Sequence, residues 1–146
     1  MPRFGGNSNY FRDFAARTGD RMMLKMEHYL DIYPRLVGHL RGKDISFLEI
    51  GVYKGGSIPL WKGYFGAEAK LTFLDIDPEC LTLALPGTVV EIGDQSDPDF
   101  LSRMADRRGP FDLIVDDGGH HMDQQITSFN ALWPRLTDGG LYIVED

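Results

Sequence analysis

Five short apolar runs punctuate this chain, and each gives way to acids or glycines: 45–50, 71–74, 88–92, 111–115 and 141–144. The intervals between them are long enough for a helix and carry helix start and stop signals. Ser57 precedes Ile58-Pro59, Asp97 precedes Pro98-Asp99, and Gly66 and Gly109 close the apolar periods. Strands separated by helices pair in parallel through right-handed crossovers. The expected fold class is therefore α/β, a doubly wound and mainly parallel sheet. With 146 residues the chain makes one domain with a single core, short for an enzyme with a full doubly wound sheet.

Ahead of the sheet, residues 1–43 read as a helical N-terminal extension or lid, and 44–146 as the sheet domain sharing one core. Residues 1–20 predict a loose arm or a short helix around Phe11–Ala16. The spacing of Leu24, Tyr29, Leu30, Tyr33, Leu36, Val37 and Leu40 predicts helix over 21–41, broken or kinked near Ile32–Tyr33 by Pro34. His28 and Tyr29 lie on that segment and are candidate substrate contacts, although packing on the sheet explains them more simply. A short helix is expected at 79–85, and a longer one at 123–136 with Ile126, Phe129, Leu132 and Leu136 on its apolar face. Trp61, Phe65, Phe129 and Trp133 read as core.

Chemistry concentrates in 111–121, Phe-Asp-Leu-Ile-Val-Asp-Asp-Gly-Gly-His-His. Open α/β sheets bind ligands just past the carboxyl ends of their strands, and there this chain places Asp116, Asp117, His120 and His121. The run at 141–144 delivers Glu145 and Asp146, so two strand ends carry four carboxylates. Carboxylates at that density suit a hard divalent cation.

Composition narrows the partners. A net charge of −7 with no Lys/Arg run excludes a nucleic-acid binder. No apolar run reaches the roughly 18–20 residues of a membrane span. The N-terminus lacks the apolar segment of a signal peptide, and the single cysteine, Cys80, fits a small buried residue in a reducing cytoplasm. Subunit count is left open, a homo-oligomer included.

The turn after the first strand discriminates between cofactors. A dinucleotide fingerprint wants Gly-x-Gly-x-x-Gly, whose middle glycine makes room for pyrophosphate. Here Tyr53 stands at that position, in Glu49-Ile-Gly51-Val-Tyr-Lys-Gly55-Gly56-Ser57, and Glu49 repels phosphate. Acids at the ends of three strands, Glu49, Asp75 and Asp94, favour a cationic nucleoside ligand. S-adenosylmethionine, with a sulfonium, an amine and a ribose, meets that description.

The same residues resemble a known family. Glu49-x-Gly51-x-x-x-Gly55-Gly56-Ser57, Asp75-x-Asp77-Pro78 and Gly93-Asp94-Gln95-Ser96-Asp97 are similar to class I S-adenosylmethionine-dependent methyltransferases. Asp116-Asp117-Gly118-Gly119-His120 with Gly139–Asp146 narrows the resemblance to the metal-dependent sugar O-methyltransferases of macrolide and mycobacterial polysaccharide biosynthesis. It covers roughly residues 24–146.

The resemblance implies that Glu49, Gly51 and Ser57 line the methionine part of the cofactor and Asp75 the ribose. Asp94 and Gln95 would hold the adenine edge, with Asp116 near the amino-acid end. It implies Asp117, Glu145 and Asp146 as ligands of Mg²⁺ or Mn²⁺, and His120 as general base, with His121 a secondary candidate for the substrate. The acceptor would be a sugar, oligosaccharide or glycosylated metabolite.

Two departures stand out. The family carries Ser where Gly119 stands, which predicts a looser turn under His120. The family also continues beyond the Glu-Asp pair, so the chain reads as C-terminally truncated or its fifth strand as an uncovered edge. A catechol-type methyltransferase, a non-enzymatic S-adenosylmethionine or metal-binding module and a hydroxylase-like protein are the competing readings.

Overall fold

The computed structural model describes residues 9–17 and 19–145. Helices α1 (Tyr10–Ala16) and α2 (Tyr29–Val37) precede strand β1 (Ser46–Ile50). Then follow α3 (Ser57–Phe65), β2 (Lys70–Asp75), β3 (Thr88–Ile92), α4 (Pro98–Arg108), β4 (Phe111–Asp116), α5 (Met122–Leu132) and β5 (Leu136–Val144). The strands form one sheet in the order β3-β2-β1-β4-β5, every neighbouring pair parallel. Chain order reverses beside β1, where β2 lies on one side and β4 on the other, so the ligand crevice of such a sheet falls at the tips of β1 and β4.

Strand parity divides the core into two layers, because successive side chains leave a strand on opposite faces. Phe47, Phe73, Leu113 and Val115 face α1, α2 and α3, packing with Phe11, Tyr33, Trp61 and Phe65. Leu48, Ile50, Leu74 and Ile114 face the other way, onto Leu101, Met104 and Leu132 of α4 and α5. Phe11 of α1 is fully buried between Tyr33, Trp61 and Tyr64, so the N-terminal helices share the core of the sheet.

Several expectations change. Residues 21–28 are not helical: Arg21, Met23 and Lys25 are partly buried, Met22, Leu24 and Met26 exposed, and the segment runs as an irregular strap over the sheet. Its outward residues Met22, Leu24 and Met26 are 58%, 63% and 55% exposed, an alternation that fits extended chain and no helix face.

Pro34 does not break α2. A proline withholds the donor that the carbonyl four residues earlier needs, and here the Asn9 side-chain amide donates to Leu30 O instead, at 2.9 Å. The segment expected as a helix at 79–85 is a 3₁₀ stretch, Pro78–Leu83. Helix α5 ends at Leu132 and passes through a 3₁₀ turn, Trp133–Arg135. Phe129 and Trp133 are not core. They stack at 5.2 Å on the surface, 40% and 54% exposed, with Ile126 also exposed. Only Leu132, of the residues read as that helix's apolar face, is fully buried.

Candidate active site at the tips of β1, β4 and β5

Parity also decides where the acids go. Glu49 shares the face of Phe47, Asp117 follows Leu113 and Val115, and Glu145 follows Leu141 and Ile143. All three carboxylates therefore leave the sheet toward the layer of α1, α2 and α3. The strands are in register there: Glu49 is level with Val115 and Asp116 with Val144, and Glu145 N donates to Asp116 O at 2.9 Å. One ligand oxygen from each of Glu49, Asp117 and Glu145 falls within 4.8 Å of the others. Of the three residues expected to hold a metal, Asp117 and Glu145 come together. Asp146 lies outside the described residues. Glu49, expected beside the cofactor, joins the acid cluster.

The sequence reading missed the cation in the middle. Lys25 Nζ donates to Glu49 Oε2 at 3.1 Å, Asp117 Oδ2 at 3.2 Å and Glu145 Oε2 at 2.8 Å. Its side chain is 1% exposed and lies under the rings of Tyr33 and Trp61, 5.7 and 5.9 Å from their centroids. Burial works against the ammonium charge, but Glu49, Glu145 and Asp117 together raise its pKa above the ordinary lysine value.

The three acids differ in how fully they are used. Glu49 is completely buried and accepts from Ser57 Oγ, Trp61 Nε1 and Lys25. Glu145 is 2% exposed; its Oε1 and the buried Tyr33 hydroxyl are neighbours, and burial and then Glu145 raise the tyrosine's pKa, yet neither atom completes an aligned hydrogen bond within the described residues. Asp117 is pushed up to about 8: burial is the largest cause, opposed by Lys25 and reinforced by Glu145 and Glu49. Below that pH Asp117 keeps a proton; once it is released, three carboxylates against one ammonium leave two negative charges, the complement of a divalent ion. The hard oxygen donor set and the orphaned Glu145 Oε1 both fit such an ion.

Asp116, the neighbour of Asp117, leaves β4 on the opposite face and is 1% exposed. It accepts from Gly118 N and from Gln95 Nε2, and burial raises its pKa above the ordinary carboxyl value. Gln95 is the hub of this turn. Its Oε1 accepts from Gly119 N at 2.7 Å, and its Nε2 also reaches Ser128 Oγ at 3.1 Å. The turn below His120 is thus held although Gly119 replaces serine. Gly51 (φ 98°) brings the β1–α3 turn against it; a Cβ there would lie 2.0 Å from Asp117 O.

Three cavities surround these tips. The first, about 440 Å³, is lined by Gly51, Tyr53, Asp75, Asp94, Gln95 and Gly118 among others. The three residues expected around a nucleoside, Asp75, Asp94 and Gln95, come together there, and Gly51, expected beside the methionine part, lines it as well. Asp75 is already committed to the turn: its Oδ2 accepts from Val52 N and Tyr53 N, and its Oδ1 from Asp77 N. Those bonds hold Tyr53 at φ 53°, so a tyrosine adopts the left-handed backbone that glycine would take most easily. Asp94 is exposed and accepts from Ser96 N and Oγ, which lowers its pKa. Cys80 also lines this cavity; burial pushes its thiol up to about 11, as expected of an unreactive cysteine.

The second cavity, about 180 Å³, lies under the strap between Gly51, Ser57, Asp117 and His120. The third, about 460 Å³, is lined by Leu24, Lys25, Met26, Tyr29, Asp117, His120 and Glu145. Asp117 and His120 line both, so they stand at the wall between the two spaces. Tyr29 reaches the third cavity. His28 is exposed and packs tilted against Tyr29, ring centroids 4.3 Å apart, and His121 is the exposed residue preceding α5; neither lines these cavities.

A parallel sheet with a glycine-turned first crossover, an acid at the end of β2 and a ligand cleft at the β1/β4 reversal defines a nucleoside-binding α/β domain. The chain belongs to the methyltransferase domain family, which matches residues 48–146. It is 38% identical over 121 residues to demethylmacrocin O-methyltransferase of Streptomyces fradiae, covering 78% of this chain and 30% of that one. It is 40% identical over 121 residues to mycinamicin VI 2''-O-methyltransferase of Micromonospora griseorubida, with the same coverage. It superposes on the MycE methyltransferase of the mycinamycin biosynthetic pathway, solved with Mg, SAH and mycinamycin VI. The TM-score is 0.79 at 35% identity, over 85% of this chain and 35% of that one. The chain thus spans about a third of the length of these relatives. Among the described residues, no helix is long and apolar enough to cross a membrane.

Proposed function

We propose that this chain is the cofactor-binding and catalytic portion of an S-adenosylmethionine-dependent, Mg²⁺-dependent O-methyltransferase acting on a sugar hydroxyl of a glycosylated small molecule. The observation that carries the reading is the position of Asp117 and His120, which line the cavity beside the glycine turn and also the larger one across from it. Methyl transfer to oxygen requires that arrangement: a donor on one side, an acceptor on the other, and a base at the boundary. The relatives named above, O-methyltransferases of glycosylated antibiotics, supply the acceptor class.

The donor's nucleoside fits the 440 Å³ cavity, with Asp75 and Asp94 toward its hydroxyl and amine edges and Gln95 toward the base. Its methionine part fits the 180 Å³ space beside Gly51 and Ser57. Glu49 stands behind Ser57, whose hydroxyl it accepts from, whereas Asp116 leaves the sheet on the other face and reaches this space only through the turn it braces. When bound, S-adenosylmethionine supplies an electrophilic methyl group, and a divalent ion supplies a Lewis acid that lowers a hydroxyl pKa. Asp117, Glu145 and Asp146 would hold that ion.

The remaining work falls to the chain. His120, three residues past Asp117 on a turn fixed by Gln95, takes the proton from the acceptor hydroxyl. Tyr29, Leu24 and Met26 shape the acceptor space, and His28 and His121 adjoin its lining residues Tyr29 and His120 in the chain without lining it.

Calorimetry with S-adenosylmethionine, with and without Mg²⁺, followed by a methyl-transfer assay on panels of sugars and catechols, tests the assignment. Transfer to a sugar supports it. Transfer to catechols alone reassigns the acceptor, and cofactor binding with no acceptor found reduces the chain to a binding module.

A further inference from the structure

We infer that Lys25 is a built-in competitor of the divalent ion, so that ion loading and docking of the 21–26 strap oppose each other. The inference rests on reading the acid cluster as an ion site, and it concerns a residue that reading does not use. Lys25 Nζ lies 2.8–3.2 Å from one oxygen of each of Glu49, Asp117 and Glu145. Among the described residues these three can converge on an ion, and two of them, Asp117 and Glu145, are ligands in the reading above. An ion bound at about 2.0–2.1 Å from those oxygens would overlap the ammonium. An ion taken by the remaining oxygens instead, such as the buried Glu145 Oε1, would still share these carboxylates with the ammonium. In a buried site both arrangements set like charges against each other, and the ammonium and the ion draw on the same carboxylates.

The strap is built to respond. Its residues 21–26 carry no regular structure, and cations pin it at two places. Arg21 donates to Leu83 O at 2.6 Å, and Lys25 enters the acid cluster. Between those points it lies against the glycine turn so closely that a Cβ on Gly56 would be 2.5 Å from Met22 O. Met22 to Lys25 roof the cavity proposed for the methionine part, and Leu24 to Met26 wall the acceptor cavity. Withdrawal of Lys25 therefore alters both spaces together. Because linkage is reciprocal, whatever affinity Lys25 removes from the ion, the ion removes from the strap.

Two readouts independent of turnover test the antagonism. The first is Mn²⁺ binding, by electron paramagnetic resonance, to the wild-type chain, Lys25→Met and Lys25→Arg. The expected result is roughly 10–100-fold tighter binding in Lys25→Met, with Lys25→Arg close to wild type. Equal or weaker binding in Lys25→Met overturns the inference.

The second readout is hydrogen exchange of residues 19–28 in the wild-type chain, which needs no variant to fold. Mn²⁺ should accelerate exchange there; slower or unchanged exchange means that ion and strap do not compete. If neither wild type nor variant binds Mn²⁺, this inference falls together with the metal part of the proposed function. Intact antagonism without methyl transfer removes the proposed function alone.

Discussion

Asp116 and Asp117 follow one another at the tip of β4, and strand parity sends them into opposite regimes. On the α5 side, Asp116 ends in a small hydrogen-bonded network in which Gln95 serves Asp116, Gly119 and Ser128 at once. On the other side, Asp117 meets two more carboxylates and one ammonium, and negative charge is left over. A satisfied polar network rigidifies its surroundings, whereas an uncompensated one awaits a ligand. The far face is therefore the frame and the near face the working site, with His120 suspended from the first and aimed at the second.

The comparison is most exposed at His120. His120→Ala should slow methyl transfer by about 10²–10⁴-fold while S-adenosylmethionine binding by calorimetry stays within a few-fold. Unchanged turnover would take His120 out of the mechanism and leave the near face with charge but no base.

Next in size is Asp117. Asp117→Asn should weaken Mn²⁺ binding by roughly 100-fold, the upper end of what loss of an outer partner brings. Asp117 also gives the site its pH dependence. Its folded pKa is raised to about 8, so an ion must displace a proton below that pH. Mn²⁺ binding should tighten from pH 6 toward pH 8 and then level off, and in Asp117→Asn that slope should vanish.

The stability of the ion-free chain runs the other way. The folded state keeps a proton that the unfolded chain has released, so stability declines as pH rises from the ordinary carboxylate range to about 8. A flat binding profile over that interval would mean that Asp117 is already ionised and the charge surplus is spent elsewhere.

Gln95 tests the frame. Gln95→Leu leaves Gly119 N–H, Ser128 and Asp116 short of partners inside the protein. The expected loss is about 1–3 kcal/mol in urea unfolding, with Mn²⁺ affinity nearly unchanged. If that variant lost Mn²⁺ as Asp117→Asn does, frame and site would be a single network, and the division by parity would be wrong.

The two regions were not equally legible in the sequence. The sheet, its parallel order and the tips of β1, β2 and β4 follow from apolar runs that end in acids, because period and punctuation are local signals. Glu49 and Glu145 meeting at one point is not local. It needs the register Glu49–Val115 and Asp116–Val144, which no single strand encodes. Lys25 was hidden for a different reason: Leu24, Tyr29 and Tyr33 gave 21–41 a helical period, although 21–26 is not helical. A usable signal was present in the acids themselves, since several buried carboxylates with no basic partner in sight demand one.

The surface pair Phe129 and Trp133 misled in the opposite direction. Apolar spacing on α5 says which residues share a face, but it is silent on whether that face is covered.

Asn9 carries the smallest expected effect, and it tests whether the N-terminal helices belong to the frame. Its side chain does two jobs. The carbonyl oxygen caps α1 by accepting from Phe11 N and Arg12 N, and the amide supplies the donor that Pro34 withholds from Leu30 O. Asn9→Ala removes the cap and strands that carbonyl, a loss of about 1 kcal/mol if only the cap counts and more if Leu30 O finds no water. Phe11 packs against Tyr33 and Trp61, the rings over Lys25, so a loosened α1 should be felt at the strap. The discriminating measurement is hydrogen exchange of 19–28 in Asn9→Ala. Faster exchange there, with β1 and β4 unchanged, ties both helices to the working face. Faster exchange confined to 9–16 makes α1 a peripheral brace that reaches the site through no other residue.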